Sequence, residues 1–286
     1  ASLAAEHYRT PAWNEWNWYP VFNLTYMPAA GHIWQLSLSS DKSYPGYWEL
    51  QNAVSYMGGS YSEIQGNPLL KPAKEYDLTL GYILKGKYVF RTWFSHTQDY
   101  STQTLYQSPD RLVEIYKYIN FNYSQQAGMQ ASLPFRMGRW LDSRLTLVGV
   151  WQHERADKFW DLPFDRAILW GMANLTNTIT MSTQPDLKLT LSGMIRSTAH
   201  QGIYDLPPSG NVNVALRYAF AGGNGIVNLY ANDLFETNGI SPRIRYKTQY
   251  VTNHYGTFRE VGMSFTWKFG GYKEKQREQV DTSRFK

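Results

Sequence analysis

Two histidine–carboxylate neighbourhoods, His96 with Asp99 and His153 with Glu154, are where residue type and spacing first suggest chemistry in this chain. A hydrolytic triad needs a nucleophile, a base and an orienting acid that converge in space, and such groups can stand on barrel strands. Nothing near either pair forms a nucleophile elbow, and no two histidines stand at metal-ligand spacing. The six histidines are isolated from one another, so they read as ordinary rim or lumen side chains. Gly222-Gly223-Asn224-Gly225 reads as a turn and not as a nucleotide cradle. Cysteine is absent, which excludes a disulfide framework and any Cys-based metal site. No catalytic residue, metal or cofactor is expected.

Binding chemistry is better represented. The stretch Ser43–Lys71 carries Tyr44, Tyr47, Trp48, Tyr56, Tyr61 and Glu63 among several glycines. Rings on an outward loop suit stacking on sugars, aromatic chelators or peptides and lose little conformational freedom on binding. The same rings would also serve a loop that merely packs on its neighbours and closes an opening. Arg91, Arg196, Arg217, Arg243 and Arg245 lie in segments that read as strands. In a membrane barrel they should face the lumen, because an arginine on the lipid face costs about 2–4 kcal/mol at the midplane. There they could attract an anionic ligand.

The elements that must position these residues alternate apolar and polar side chains. Val212, Val214, Leu216, Tyr218 and Phe220 interleave with Asn211, Asn213, Ala215, Arg217 and Ala219, so one face of the strand is oily and the other wet. Segments of this kind fall at about 1–8, 18–27, 32–42, 72–84, 88–107, 113–136, 143–156, 164–182, 187–200, 211–220, 225–250 and 257–269. A soluble sandwich also alternates, but the connections discriminate. Short turns (28–31, 85–87, 137–142, 183–186, 221–224) alternate with longer loops (8–17, 43–71, 108–112, 157–163, 201–210, 253–257). That is the layout of an outer-membrane barrel, with tight periplasmic turns and long extracellular loops. The longest strands, 88–107 and 113–136, should project as a hairpin beyond the outer surface, and Asn238, Gly239 and Pro242 should bend the segment 225–250.

Composition agrees. Charged residues make up 18% of the 286 residues and aromatics 16%, with 22 Tyr and 11 Trp, and amphipathic rings gather where hydrocarbon meets water. No apolar run is long enough for a helical span. Residues 1–8 lack the basic segment and apolar core of a signal peptide, as in a mature or fragmentary exported protein. The net charge of +5 is dispersed, which makes nucleic acid an unsuitable partner.

Three stretches carry a resemblance. Gly66-Asn67-Pro68-Leu69-Leu70-Lys71-Pro72, followed by a strand with Tyr76, Leu78, Leu80 and Tyr82, resembles a signature of TonB-dependent outer-membrane receptors, particularly those of the Bacteroidota. Asn232-Asp233-Leu234-Phe235-Glu236-Thr237 resembles an element of their penultimate strand, and residues 265–272 with 280–285 resemble their closing strand and tail. Each motif is weak alone; their order and spacing make the set specific.

The resemblance implies an all-β, antiparallel transmembrane β-barrel, with about twelve strands here corresponding to strands 11–22 of a 22-stranded barrel whose lumen holds an N-terminal plug. It implies nutrient uptake and no enzymatic activity. Residues 1–269 would form the C-terminal portion of the barrel and 270–286 a periplasmic tail. The expected partners are outer-membrane lipid, the plug and remaining strands, the TonB complex and a surface lipoprotein. The lumen arginines would salt-bridge to plug carboxylates. The chain departs from the family in showing no plug, TonB box or further strands. A small autonomous barrel, acting as a phospholipase- or protease-type enzyme or as a docking subunit, is the alternative. That alternative predicts a closed barrel in which 1–8 pairs with 257–269.

Overall fold

The computed structural model describes residues 1–9, 14–59, 61–239, 241–256 and 259–269. Its elements run, in chain order, β1 (Ser2–Arg9), β2 (Asn14–Ala29), β3 (His32–Ser43), α1 (Tyr47–Leu50), β4 (Val54–Tyr56), β5 (Ser62–Gln65), β6 (Ala73–Leu84) and β7 (Tyr88–Gln98). There follow β8 (Ser101–Gln107), β9 (Glu114–Asn120), β10 (Tyr123–Met137), β11 (Leu141–Ala156), β12 (Phe164–Thr183), β13 (Asp186–Arg196) and β14 (Ala199–Gln201). The last are β15 (Tyr204–Leu206), β16 (Ser209–Phe220), β17 (Gly225–Asn232), β18 (Arg243–Tyr246), β19 (Gln249–Thr252) and β20 (Glu260–Trp267). No helix among the described residues is long and apolar enough to cross a membrane.

Twelve strands form one antiparallel sheet in the order β1-β2-β3-β6-β7-β10-β11-β12-β13-β16-β17-β20. All five short turns lie on one rim and all long connections on the other, as the alternation of lengths requires. On the short-turn rim, Lys85 donates its backbone N–H to the Gly31 carbonyl, tying two neighbouring turns together at 2.5 Å. β1 and β20 are the edges and do not pair with each other. The closed twelve-stranded barrel is therefore not formed, and the sheet is an open barrel wall.

The two faces of this wall differ as the alternation demands. One carries hydrogen-bonded polar pairs along the wall: Asn23 accepts from Ser37 at 2.7 Å, Asp77 from Ser95, and Ser264 from Asn228 at 3.2 Å. Arg217 donates to Asp186 at 2.5 Å, with Lys188 3.4 Å from the same carboxylate. Lys188, Thr190 and Arg196 share this face of β13, and Lys188 stands directly opposite Arg217. The other face carries Leu189, Leu216, Leu229 and Met263 in one cross-strand row. Phe265, Met263 and Leu169 remain 60%, 70% and 76% exposed. Contiguous bare hydrocarbon on this scale is what lipid covers.

Aromatic rings border that apolar face. Trp34, Tyr82 and Phe90 stack near the short-turn rim, with centroids 4.3 and 6.2 Å apart, and Phe265 and Trp267 stand at the same level. His96, Tyr123, Trp151 and His153 cluster at the opposite rim. His153 Nε2 lies 2.7 Å from Asp165 and His96 Nδ1 3.1 Å from Gln125 Nε2. Both histidines are thus girdle residues, as their isolation in the sequence suggests.

Beyond the long-loop rim the chain folds again. The segments expected as continuous strands 88–107 and 113–136 break at Asp99 and Phe121–Asn122, where Asp99 adopts φ +52°. β8 and β9 leave the wall and join a second sheet, β4-β5-β9-β8, in which β5 and β9 are parallel. Segment 225–250 likewise leaves the wall after Asn232. Its second half, β18 and β19, pairs into a third sheet, β14-β15-β18-β19. The physical reason is burial: an isolated hairpin standing in water is marginal. Folding over lets Leu105, Ile115, Phe121, Phe159, Phe164, Ile203 and Ile244, each at most 5% exposed, build one core between the two small sheets. The long connection expected at 8–17 is mostly strand, since the β1–β2 ladder extends to Arg9 opposite Asn14.

Candidate functional site

Where the loop cap meets the polar face of the wall, two adjoining chambers open. The inner one, about 600 Å3, is bordered by wall residues Glu75, Gln152, Glu154, Trp170 and Arg196 and by His200 of β14. The outer one, about 670 Å3, lies among the loop strands and is lined by Tyr116, Tyr118, Tyr204 and Tyr255. Ser101, Tyr118, Gln201 and Leu206 border both, so the two form one cleft.

The receptor-like motifs shape the chain beside this cleft, the first by fastening to Tyr118 and Asn120 of β9 and the second by turning the chain out of the wall. A Cβ on Gly66 would land on the Gln51 carbonyl oxygen, so only glycine admits the close pass of the two backbones. Asn67 then donates its amide to the Tyr118 carbonyl at 2.9 Å and accepts from the Leu69 N–H at 3.1 Å, while Leu70 is buried. Asn120 completes the clamp, accepting from Lys71 N–H at 2.8 Å and donating to its carbonyl at 3.0 Å. The substitution Gly66→Ala is expected to lower the stability of the loop cap by at least the roughly 1–3 kcal/mol of an overpacked core site. Limited proteolysis of the loops checks it. In the second motif Asp233, at φ +50°, accepts from the Thr237 and Asn238 N–H groups at 3.0 and 3.2 Å and turns the chain out of the wall.

The aromatic and acidic candidates of Ser43–Lys71 separate. Tyr44 borders the inner chamber. Tyr47 and Trp48 pack edge to face at 5.5 Å and point outward, 73% and 78% exposed, and Tyr56 and Tyr61 are also exposed. Glu63 is buried and receives a fork from Arg111 at 2.9 and 3.2 Å. Those hydrogen bonds hold its carboxyl below the usual range. Glu63 thus fastens β5 to the turn before β9.

The arginines separate too. Arg91 and Arg196 stand on the polar face: Arg91 donates to Thr79 at 3.3 Å, and Arg196 to the Pro207 carbonyl at 3.1 Å. Arg243 and Arg245 do not face the lumen from the wall. They sit on β18 of the loop cap, with Arg245 5.6 Å from the Tyr250 ring centre. The expected bend at Glu236–Pro242 is in fact a departure from the barrel, which begins at Asp233 directly after β17 ends at Asn232.

Tyr116, Tyr118, Tyr204, Tyr255, Glu75 and His200 border the cleft without having been singled out by sequence. The signal available was Tyr116 and Tyr118 at i, i+2, which places both rings on one face of a strand. Burial raises the Tyr204 hydroxyl and pushes that of Tyr106 up to about 12, the latter donating to Asp161 at 2.8 Å. Burial, and then the Arg166 guanidinium, lower the His200 imidazole against the pull of Asp205. Among the described residues no group of three His, Asp or Glu could hold a metal ion.

An antiparallel wall with one bare apolar face, one hydrogen-bonded polar face and tight turns on a single rim is the architecture of a transmembrane β-barrel. The chain belongs to the outer membrane protein beta-barrel family, which it matches over residues 6–267. No curated protein matches it in sequence. Among solved structures it is similar to the siderophore receptor PirA from Pseudomonas aeruginosa, at 15% identity and a TM-score of 0.58 over 78% of this chain and 39% of that one. The ferric enterobactin receptor PfeA of Pseudomonas aeruginosa aligns at 14% identity and a TM-score of 0.55 over 87% and 40%. The FrpB iron transporter from Neisseria meningitidis aligns at 14% and 0.53 over 90% and 40%. The chain therefore spans about 40% of the receptors it matches.

Proposed function

We propose that this chain forms about half of the wall, strands 11–22 of 22, of a TonB-dependent outer-membrane uptake receptor of the Bacteroidota type. The observation that carries the reading is the pair of unpaired edges, β1 and β20, on a wall whose oily face is bare. In lipid an open edge leaves backbone groups unsatisfied at several kcal/mol each, so further strands must pair with both. On this reading the long-loop rim is extracellular, the segment 270–286 is a periplasmic tail outside the described residues, and a plug occupies the polar side. Arg91 and Arg217 would then meet plug carboxylates, a TonB complex would pull the plug, and a surface lipoprotein could cover the loop cap. Ligand would enter the cleft and pass along the hydrogen-bonded face.

The test is uptake by cells expressing the full-length protein, using labelled ferric enterobactin and labelled neutral oligosaccharides as probes. Uptake of at least one probe should collapse to background with a protonophore or on loss of TonB, while surface binding persists. Uptake that ignores both treatments would mean a passive pore. Deleting Gly46–Gly59 removes α1 and β4 but none of the twelve wall strands. It should abolish uptake while the protein keeps the heat-modifiable migration of a folded barrel. If that deletion is silent and truncation after Gly271 abolishes binding instead, the recognition surface lies on the other rim.

A further inference from the structure

The short-turn rim carries three cations on turns that hold no carboxylate. Lys85 and Lys87 occupy one turn and Arg139 the next along the rim, because β7 pairs with β10. All three are exposed, and no Asp or Glu falls in 28–31, 85–87 or 137–141. Near the same rim, but on the polar face, Arg136 and Arg217 are matched by Asp142 and Asp186. On the membrane side of the opposite rim, Arg155 stands 2.8 Å from Asp157 and His153 2.7 Å from Asp165. The plug and further strands of the uptake reading meet the polar face and the edges β1 and β20. These turns lie between the fourth and the seventh of the twelve wall strands, so lipid is their neighbour on the outer side.

We propose that this stretch of rim is a docking surface for the phosphate of an anionic phospholipid in the adjoining leaflet. Aromatic rings fix its depth. The Trp34, Tyr82 and Phe90 stack stands on the oily face beside the 85–87 turn, and His32 Nδ1 lies 2.7 Å from the Tyr82 hydroxyl. Lys87 Nζ is 5.6 Å from the centre of the Tyr88 ring, and Trp140, next to Arg139, is exposed. Such rings sit where hydrocarbon gives way to headgroups, and long cationic side chains beside them reach the phosphate level. The backbone holds the charges there. Lys85 and Gly86 both have positive φ, +54° and +58°, and the Lys87 N–H donates to the Leu84 carbonyl at 3.0 Å. Asn or Gly is the favoured residue at the first of these positions, and a lysine there is strained, so the turn presents an ammonium that its own geometry does not call for. The patch is continuous with the face that lipid covers, and the proposal needs only that the wall stands in a membrane, whatever is imported.

Titration of labelled phosphatidylglycerol and labelled phosphatidylcholine into the full-length protein in a non-ionic detergent tests this. Phosphatidylglycerol should bind the more tightly, and added salt should narrow the difference. The triple variant Lys85→Asn, Lys87→Gln, Arg139→Gln should lower that preference by at least about fivefold, which corresponds to about 1 kcal/mol. Lys85→Asn alone should lower it while raising resistance to urea, because asparagine suits the turn better than lysine; a merely structural role for Lys85 would not separate the two. The same change of charge made on exposed lysines of the cap, Lys71→Gln, Lys158→Gln, Lys247→Gln, should leave the preference unchanged. Heat-modifiable migration establishes that each variant is folded before it is titrated. Equal affinity for the two lipids, an undiminished preference in the rim variant, or equal losses in the rim and cap variants would overturn the proposal. So would loss of uptake in cells by the rim variant without any lipid preference in the parent, which would mean that the surface meets an acidic protein. A lipid preference in a protein that proves to be a passive pore removes the uptake reading alone.

Discussion

Replacing Phe121 by alanine should make the loop cap proteolytically labile while leaving the barrel wall intact. The side chain is fully buried, with its ring 5.4 Å from Phe164, 6.0 Å from Tyr100 and 6.5 Å from Phe159. It lies at the exit of β9, where the second sheet meets residues Ile203 and Ile244 of the third. Truncating a buried phenylalanine costs about 3–5 kcal/mol, the transfer free energy of the ring plus the cavity it leaves. The two small sheets are held by this shared core and by the hydrogen bonds of Gln107 with Gln249 and Tyr250, since each strand of the third has only three or four residues. The wall strands keep their ladders without it. Protease digestion of outer-membrane vesicles should therefore cut the variant within 99–122 or 197–208 and leave a protected barrel. Phe135→Ala, on the exposed oily face, serves as the comparison and should digest like the parent. If both variants resist protease equally, the loop cap does not depend on that core.

An arginine at Leu147 should impair insertion far more than one at its neighbour Thr146. Leu147 belongs to an outer row with Phe90, Ala131, Ala173 and Ile195, whereas Thr146 shares the polar face with Ser132, Asn174 and Met194. About six residues separate Leu147 from the short turn, roughly 20 Å along the strand at ~3.4 Å per residue. With a strand tilt of about 45°, that is close to half of a hydrocarbon layer about 30 Å thick. Leu147→Arg then places a charge near the midplane on the lipid side and costs about 2–4 kcal/mol. Thr146→Arg places it among water-facing hydroxyls and amides and costs much less. Urea titration of the full-length protein folded into vesicles measures the difference. A larger loss at Thr146 would mean that the two faces have been assigned the wrong way round, and equal losses that neither of them faces lipid.

The sequence alone determined the wall. Period-two alternation states which side chains share a face, and alternating short and long connections place the turns on one rim; both are local properties that the ladder preserves. Leu189, Leu216 and Phe265 are therefore outward, and Lys188, Thr190 and Arg217 lie on the polar row, as their parity demands. That His96 and His153, far apart in sequence, share one aromatic cluster with Tyr123 was not readable there, because the ladder and not the spacing brings them together.

Only the tertiary structure decided the loop cap and, with it, the site. Whether a strand continues past Gln98 or Asn232 depends on whether its apolar residues find a partner surface, and Phe121, Phe164, Ile203 and Ile244 come together from four distant segments. That assembly moved Arg243 and Arg245 from the wall to the cap and converted Glu63 from an available carboxylate into the buried partner of Arg111. It also gathered Tyr116, Tyr118, Tyr204 and Tyr255 around one chamber. Sequence spacing carries the parity of a strand because each residue fixes the next. It carries no such record of which loops will meet above the barrel, since that is set by the burial of surfaces far apart along the chain.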